Sequence, residues 1–473
     1  MDRPLIDDRS RRLLPWLVAV AFFMQTLDGT IVNTALPGMA LDLHESPLRM
    51  QLVVIAYMLT VALLIPVSGW LADRFGTRRI FIGAIVLFSG GSAACALSTS
   101  LAQLVAARAL QGLGGALLLP VGRLAILRVF PKEELLRTLA FVTIPGLIGP
   151  LIGPSLGGWL VEVASWHWVF LINLPVGLLG VLAARRHMPE LRVGAAGRFD
   201  LWGYVLFSAS IVMVSVALQG LGDRALGFAS SMLLLFAGLA AFGGYWLHAA
   251  LSAQPLFSLR LFSIPSFAVG LLGNLFARLG SGALPFLMPL FLQVGLGYSP
   301  AAAGMSLIPT ALGAMLSKTF AAPLIRHLGY RTTLVGNTVL LGLMIASFAL
   351  VDRDTGRVPL MLHLAAFGIV NSLQFTAMNT LTLGDLEGVD ASAGNSLLSV
   401  VMQVSMSMGV AAAAALLIAF GGHTQAQGST AVVETFQATF VCIGLLSVFA
   451  AFIFGQLQPR DAPQRIPHVP DEH

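Results

Sequence analysis

Charge is what this chain has least of. Lys, Arg, Asp and Glu make up 10% of its 473 residues and hydrophobic residues 57%, whereas in a soluble domain about a quarter of residues are charged. With a mean hydropathy of +0.85, the chain reads as an integral membrane protein. Polar stretches are short as well, and no soluble domain of useful size fits between the apolar runs. Cysteine is confined to Cys95 and Cys442, both inside apolar runs. That excludes a disulfide framework or a thiolate metal site and leaves both as packing residues. The net charge of +5 reads as loop topology, so no nucleic-acid partner is expected. No cluster of His, acid or Ser groups shares one depth, as a membrane-embedded enzyme would need. A GxSxG match at Gly153 to Gly157 lacks the strand-turn-helix context and the His partner of a nucleophile elbow.

What is present is a series of apolar runs of bilayer length. They predict fourteen helical spans, near 14–36, 50–72, 79–98, 101–124, 138–161, 168–187, 201–220, 228–250, 266–294, 301–325, 331–351, 358–383, 393–420 and 432–457. The charged start MDRPLIDDRSRR leads into a full-length run with no small-residue cleavage site, so it reads as a retained first span. An even count puts both termini on one side. With that side cytoplasmic, twenty of the 27 Lys and Arg fall on inner segments and only Arg49, Arg224, Arg353 and Arg357 on outer loops. That asymmetry predicts cytoplasmic termini.

The longest inner connections divide the chain into an N-terminal six-helix bundle at 1–187, a central two-helix insert with cytoplasmic linkers at 188–265, and a C-terminal six-helix bundle with a cytoplasmic tail at 266–473. A weak repeat supports the division. GWLADRFGTR at 69–78 and APLIRHLGYR at 322–331 share Leu, Gly and Arg at equal spacing. Two related halves imply alternating access around a central cavity.

In the first copy, Gly76 suits a tight turn and Gly69 a close helix contact. Asp73, beside Arg74 and Arg78, is placed to meet a helix N-terminus or a neighbouring arginine and so to latch one conformation. In the fifth span Gly149, Gly153 and Gly157 recur every four residues and share a helix face, with Pro150, Pro154 and Gly158 beside them. They predict a thin, bendable helix that another can approach closely.

Taken together, these segments resemble one family. GWLADRFGTRR looks like the signature loop of the major facilitator superfamily, RALQGLGGA at 108–116 is similar to its fourth-span motif, and GPLIGPSLGG at 149–158 resembles the antiporter motif of its drug/proton exporters. With LDGTIVNTALP at 27–37, SWHWVFLINLPVG at 165–177 and fourteen spans, the whole chain resembles the fourteen-spanning drug/proton antiporter branch. The resemblance implies the all-α major facilitator fold, two six-helix bundles plus two central helices. It also implies a multi-pass exporter in the bacterial inner membrane, driven by the proton gradient without a cofactor, and expected to be monomeric.

Three charges besides Asp28 lie well inside spans, away from their ends, and need explanation: Arg108, Arg278 and Lys318. A carboxylate at membrane depth is costly, and its usual uses are proton carriage and ligand binding. Asp28 lies about eight residues below the outer end of its span and Arg108 about seven, so their depths match. Burial disfavours the charged carboxylate and a nearby arginine favours it, so a modest movement between the two would load and release a proton. The alternative is a permanent structural ion pair. Arg278 sits just before Gly280, Gly282 and Pro285 in a helix expected to break, with no acid at its depth in the second-half spans to neutralise it. Asn33, Gln111, Asn274, Arg278, Gln374 and Asn379 are the candidate substrate-cavity groups, although each amide alone is more often interhelical glue. The expected activity is proton-coupled export of amphipathic drug-like compounds. An endogenous organic anion or a metal chelate such as a citrate complex is the alternative cargo, motivated by Arg278.

Overall fold

A backbone in hydrocarbon must satisfy its N–H and C=O groups within its own segment, and the long apolar runs are accordingly helical. The computed structural model describes residues 7–192, 199–222, 227–421 and 428–458. Arg224 and the expected cytoplasmic tail beyond 458 lie outside the described residues. The helices are α1 Asp8–Asp42, α2 Gln51–Phe75, α3 Thr77–Ala96, α4 Leu101–Val129, α5 Lys132–Val163, α6 Trp168–Leu171, α7 Asn173–His187, α8 Leu201–Gly222, α9 Phe228–Leu251, α10 Pro265–Ser281, α11 Leu284–Leu290, α12 Pro300–Ser306, α13 Ile308–Ser347, α14 Arg357–Gly384, α15 Gly388–Gly421 and α16 Gly428–Phe454. Among the described residues there is no strand. Thirteen helical stretches are long and apolar enough to cross a bilayer.

Local chemistry explains the breaks. The span expected at 266–294 is interrupted between Ser281 and Leu284, where Gly280, Gly282 and Pro285 withhold side-chain support and an N–H donor. The longest stretch, Pro300–Leu350, covers 51 residues, and within it Gly329 leaves helical geometry at φ 77°, ψ 161°. Gly76, at the same place in the first copy of the repeat, has φ 94°, ψ 145°. Both values fall in a region open essentially to glycine alone. The two repeat copies therefore make the same turn, although Arg326 and His327 stand where the first copy has Asp73 and Arg74.

The chain forms two compact units. The first comprises the described residues of 1–199 with Pro285–Ile308. In it α1 packs along α5, and α4 along α2 and α3, around Leu14, Val18, Tyr57, Phe81, Phe88, Leu118 and Ile126. The second comprises Asp200–Leu284 with the described residues from Pro309 onward. There α10 packs against α14, α15 and α16, and the α8/α9 hairpin lies against α15. Its core includes Ala277, Ile325, Leu334, Met378 and Phe454. Large apolar side chains such as Trp159, Leu178, Leu233, Phe449 and Phe452 point outward; such a surface is at home in lipid.

Asp200 ties the base of the α8/α9 hairpin. Its carboxylate accepts from the Gly203 N–H at 2.9 Å, from His248 at 2.7 Å and from the Leu256 N–H at 3.0 Å. Burial pushes this carboxyl up, but those bonds together outweigh it and hold Asp200 below the usual carboxylate range.

Candidate functional site

Asp28, in α1, is fully buried, as are Gln111 in α4 and Ser92 in α3; Arg108, Asn173 and Tyr57 are nearly so. Arg108 and Gln111 stand three residues apart and therefore project from one face of α4. One Arg108 terminal nitrogen donates to Asp28 Oδ2 at 2.7 Å and to Gln111 Oε1 at 2.7 Å, while Arg108 Nε donates to the Val53 carbonyl at 3.3 Å. Gln111 Nε2 and Asn173 Nδ2 donate to Asp28 Oδ1 at 2.7 and 3.0 Å. Asn173 also donates to Ser92 Oγ at 3.0 Å, and that hydroxyl donates to the Phe170 carbonyl at 2.9 Å. The Arg108 guanidinium lies 4.3 Å from the centre of the Tyr57 ring. Six helices thus contribute to the cluster, and α4 and α7 supply the donors to its one carboxylate. The pair is neutral overall, and each charge is held by hydrogen bonds that a buried ion pair requires.

The pairing of Asp28 with Arg108 follows from matched depth. The sequence alone does not single out Asn173, Ser92 and Tyr57, which share this depth, because depth does not say which way a side chain faces. Relative to the outer ends of their spans they lie about five, six and seven residues deep, respectively. Gln111, expected in a substrate cavity, has its amide committed to the charge cluster.

The glycine face of α5 lies against α1 at the level of Asp28. A Cβ at Gly149 would come within 2.7 Å of the Leu27 backbone nitrogen, and one at Gly157 within 2.5 Å of Thr34 Oγ1. Gly153 faces Thr30 and Ile31 in the same way. Thr30 Oγ1 bonds the carbonyls of Thr26 and Leu27 at 3.1 Å and that of Gly149 at 3.4 Å. Only glycine admits this approach of two backbones. The next residues of α5 face α12, with Gly158 against the Pro300 carbonyl and Pro154 against Gly304.

At the α2–α3 turn, Asp73 in the last turn of α2 pairs with Arg128 of α4, the arginine option expected for it. The Arg74 guanidinium lies 5.7 Å from the Trp70 ring centre. Arg78 donates to the Met188 carbonyl, Thr77 Oγ1 donates to the Pro189 carbonyl at 2.7 Å, and the Leu191 N–H returns to Thr77 Oγ1 at 3.2 Å. Glu190 lies over Gly76. The segment after α7 therefore straps the loop. Gly69 corrects its expectation: a Cβ there would meet nothing within 4 Å, so close helix contact is not what this glycine provides.

The other cavity candidates divide between the units. Asn33 bonds the Gly29 carbonyl of its own helix at 3.2 Å. In the second unit, Gln374 accepts from Asn337 at 2.8 Å and donates to Thr338 at 2.7 Å, which is interhelical glue. Arg278 Nε donates to Asn274 Oδ1 at 3.1 Å, and the guanidinium lies 4.3 Å from the Phe375 ring centre. One Arg278 terminal nitrogen and Asn379 Oδ1 are buried without a partner among the described residues.

Comparison with known proteins gives the same lineage. A family model described as Major Facilitator Superfamily matches residues 18–272 and 270–473. "Putative multidrug resistance protein MdtD" of Serratia proteamaculans strain 568 is 48% identical over 443 residues, covering 93% of this chain and 92% of the relative. The protein of the same name from Salmonella paratyphi B is 48% identical over 466 residues, covering 98% and 97%. Among solved structures, a bacterial homologue of the human lysosomal transporter Spinster aligns with a TM-score of 0.68 at 17% identity, over 95% of this chain and 97% of that one. A POT family transporter solved with 5-aminolevulinic acid aligns with a TM-score of 0.69 at 16% identity, over 95% and 96%. The chain belongs to the major facilitator superfamily and is a multi-pass membrane transporter of small molecules.

Proposed function

We propose that this transporter is a proton-coupled exporter working by alternating access, with Asp28 as the proton carrier and Arg108 as the group that moderates its charge. The observation that carries this reading is the buried Asp28–Arg108 pair, 2.7 Å apart, with Asp28 on α1, the helix packed against the glycine face of α5. A small displacement of α1 along that face changes the donors around one carboxylate, and with them its hold on a proton. Gln111 and Asn173 donate to the same carboxylate oxygen and fix its position. The Asp73–Arg128 pair and the strapped loop serve as the conformational latch, with Gly153, Pro154, Gly157 and Gly158 as the bending helix.

The cargo is a class of amphipathic, drug-like compounds, in line with the names of the MdtD relatives. A second reading, an organic anion or a metal chelate such as a citrate complex, is favoured by the buried, incompletely bonded Arg278 guanidinium on Phe375. Proton release from purified protein, compared between a lipophilic cation and citrate, separates the two; a response to the cation alone ends the anion reading.

The same reading includes fourteen crossings. The stretch Pro300–Leu350 of 51 residues would be about 77 Å long if straight, more than twice the hydrocarbon thickness of about 30 Å, so it counts as two helices meeting at Gly329. Both termini are cytoplasmic in a bacterial inner membrane, the protein acts as a monomer with 1–187, 188–265 and 266–473 as its three parts, and the proton gradient is its only energy source. Proteoliposomes with an imposed pH gradient test the coupling. Export should follow the gradient and stop when a protonophore collapses it; transport indifferent to the gradient would refute it.

A further inference from the structure

A cleft opens between the starts of α1 and α5, away from the charge cluster. It has a volume of about 370 Å³ and is lined by Arg12, Pro15 and Trp16 from α1 and by Glu134, Arg137, Thr138 and Phe141 from α5. Its rim is polar and cationic. Glu134 is already neutralised, because Arg11 donates to both of its carboxylate oxygens at 2.8 and 2.9 Å. Arg12 and Arg137 have no carboxylate partner among the described residues. Of the acids in the first turns of the two helices, Glu134 alone lines the cleft, Asp8 and Glu133 do not, and Asp7 caps the Ser10 N–H.

The floor is apolar. Trp16 and Phe141 meet edge to face with ring centres 4.7 Å apart, and Trp16 is 56% exposed. In both helices the cleft straddles the step from charged to apolar sequence: Arg12 precedes the run that starts at Leu13, and Arg137 precedes Leu139 and Phe141. That step marks the level of lipid headgroups, where tryptophan is also favoured.

We propose that this cleft binds the headgroup of an anionic phospholipid from the leaflet at the α1 start. Two guanidinium groups without carboxylate partners suit a phosphate, which each can grip with two parallel N–H donors. The Thr138 hydroxyl offers a further donor, and the Trp16–Phe141 wall receives the upper acyl chain. A free phosphate would have no use for that wall. The volume lies in the ordinary range for ligand sites, and basic clefts between helices at this level suit anionic headgroups. The bound lipid would bridge α1 and α5, the two helices whose glycine-threonine seam carries Asp28, so the lipid composition of the membrane would tune transport.

The test uses the full-length protein reconstituted in phosphatidylethanolamine with a fixed share of dibrominated phosphatidylglycerol. Quenching of Trp16 is read as the difference between wild type and Trp16→Phe. The expected result is a preference at Trp16 for phosphatidylglycerol over equally brominated phosphatidylethanolamine on the order of tenfold. In Arg12→Gln/Arg137→Gln the preference should vanish, whereas Arg12→Lys/Arg137→Lys should keep part of it and Arg49→Gln all of it. Equal quenching by the two brominated lipids in wild type would overturn the proposal without reference to any arginine variant. Loss of the preference on adding inorganic phosphate, but not chloride of equal ionic strength, would identify a soluble-anion site and overturn the lipid assignment.

Discussion

Gly149→Ala tests whether the approach of α5 to α1 is what positions the buried carboxylate. The added Cβ would lie 2.7 Å from the Leu27 backbone nitrogen and 3.0 Å from the Thr26 carbonyl carbon, against an ordinary contact that begins at 3.4 Å. The two backbones must therefore part by about 0.7 Å, beside the residue that precedes Asp28. Overpacking of this kind costs about 1 to 3 kcal/mol. The bonds on Asp28 at 2.7 to 3.0 Å have little slack, since beyond about 3.2 Å they leave the usual hydrogen-bond range. The assay is a pair of measurements in one preparation, thermal unfolding in detergent and gradient-driven efflux in proteoliposomes. Gly149→Ala should lower the melting temperature and slow efflux by about tenfold, which corresponds to about 1.4 kcal/mol. Gly90→Ala is the control: a Cβ there meets nothing within 4 Å, so stability should hold or improve slightly. If Gly149→Ala matched wild type in both measurements, the seam would not be position-critical and the reasoning would fail.

Other outcomes follow from single contacts. Asn173→Leu removes a donor from both Asp28 and Ser92 and should cost about 1 to 3 kcal/mol, seen as a lower melting temperature together with reduced efflux. Asp73→Asn breaks the pair with Arg128, whose side chains are partly exposed. Stability should change by less than about 1 kcal/mol and membrane expression should stay intact while transport falls; undiminished transport would remove the latch from the account. Asp200 is held below its ordinary value of 3.8, so its stabilisation is present above that value and is lost as pH falls through the lowered one. Unfolding followed from neutral pH down past 3.8 should show wild type losing stability in acid more steeply than Asp200→Asn, and parallel curves would contradict the assignment.

Much of the fold was legible because the bilayer makes a simple demand: long apolar runs must be helices. The glycine turn at 76 and its counterpart at 329 were legible as a repeat, and their shared backbone geometry needs glycine in both places. Helix depth was equally readable, since a fixed rise per residue converts sequence position into height, and it brought Asp28 and Arg108 together on paper. Rotation about the helix axis was not read the same way. Depth alone therefore does not pick out Asn173 and Ser92, polar groups of ordinary appearance, and does not decide between cavity and interhelical glue for Gln111 and Gln374, whose amides bond neighbouring side chains. Gly69 shows a further limit, because a glycine that relieves crowding and one with open space beside it look alike in sequence. The strap from Met188 to Leu191 rests mainly on backbone groups, which carry no side-chain signature.

The central claim is that Asp28 takes up and releases the proton. Infrared difference spectroscopy during substrate binding addresses it directly, because a carboxyl group shows its C=O stretch only when protonated. The account predicts a substrate-dependent carboxyl band that disappears in Asp28→Asn and shifts in Asp28→Glu. A band that persists unchanged in Asp28→Asn, or substrate binding without any carboxyl signal in wild type, would contradict it.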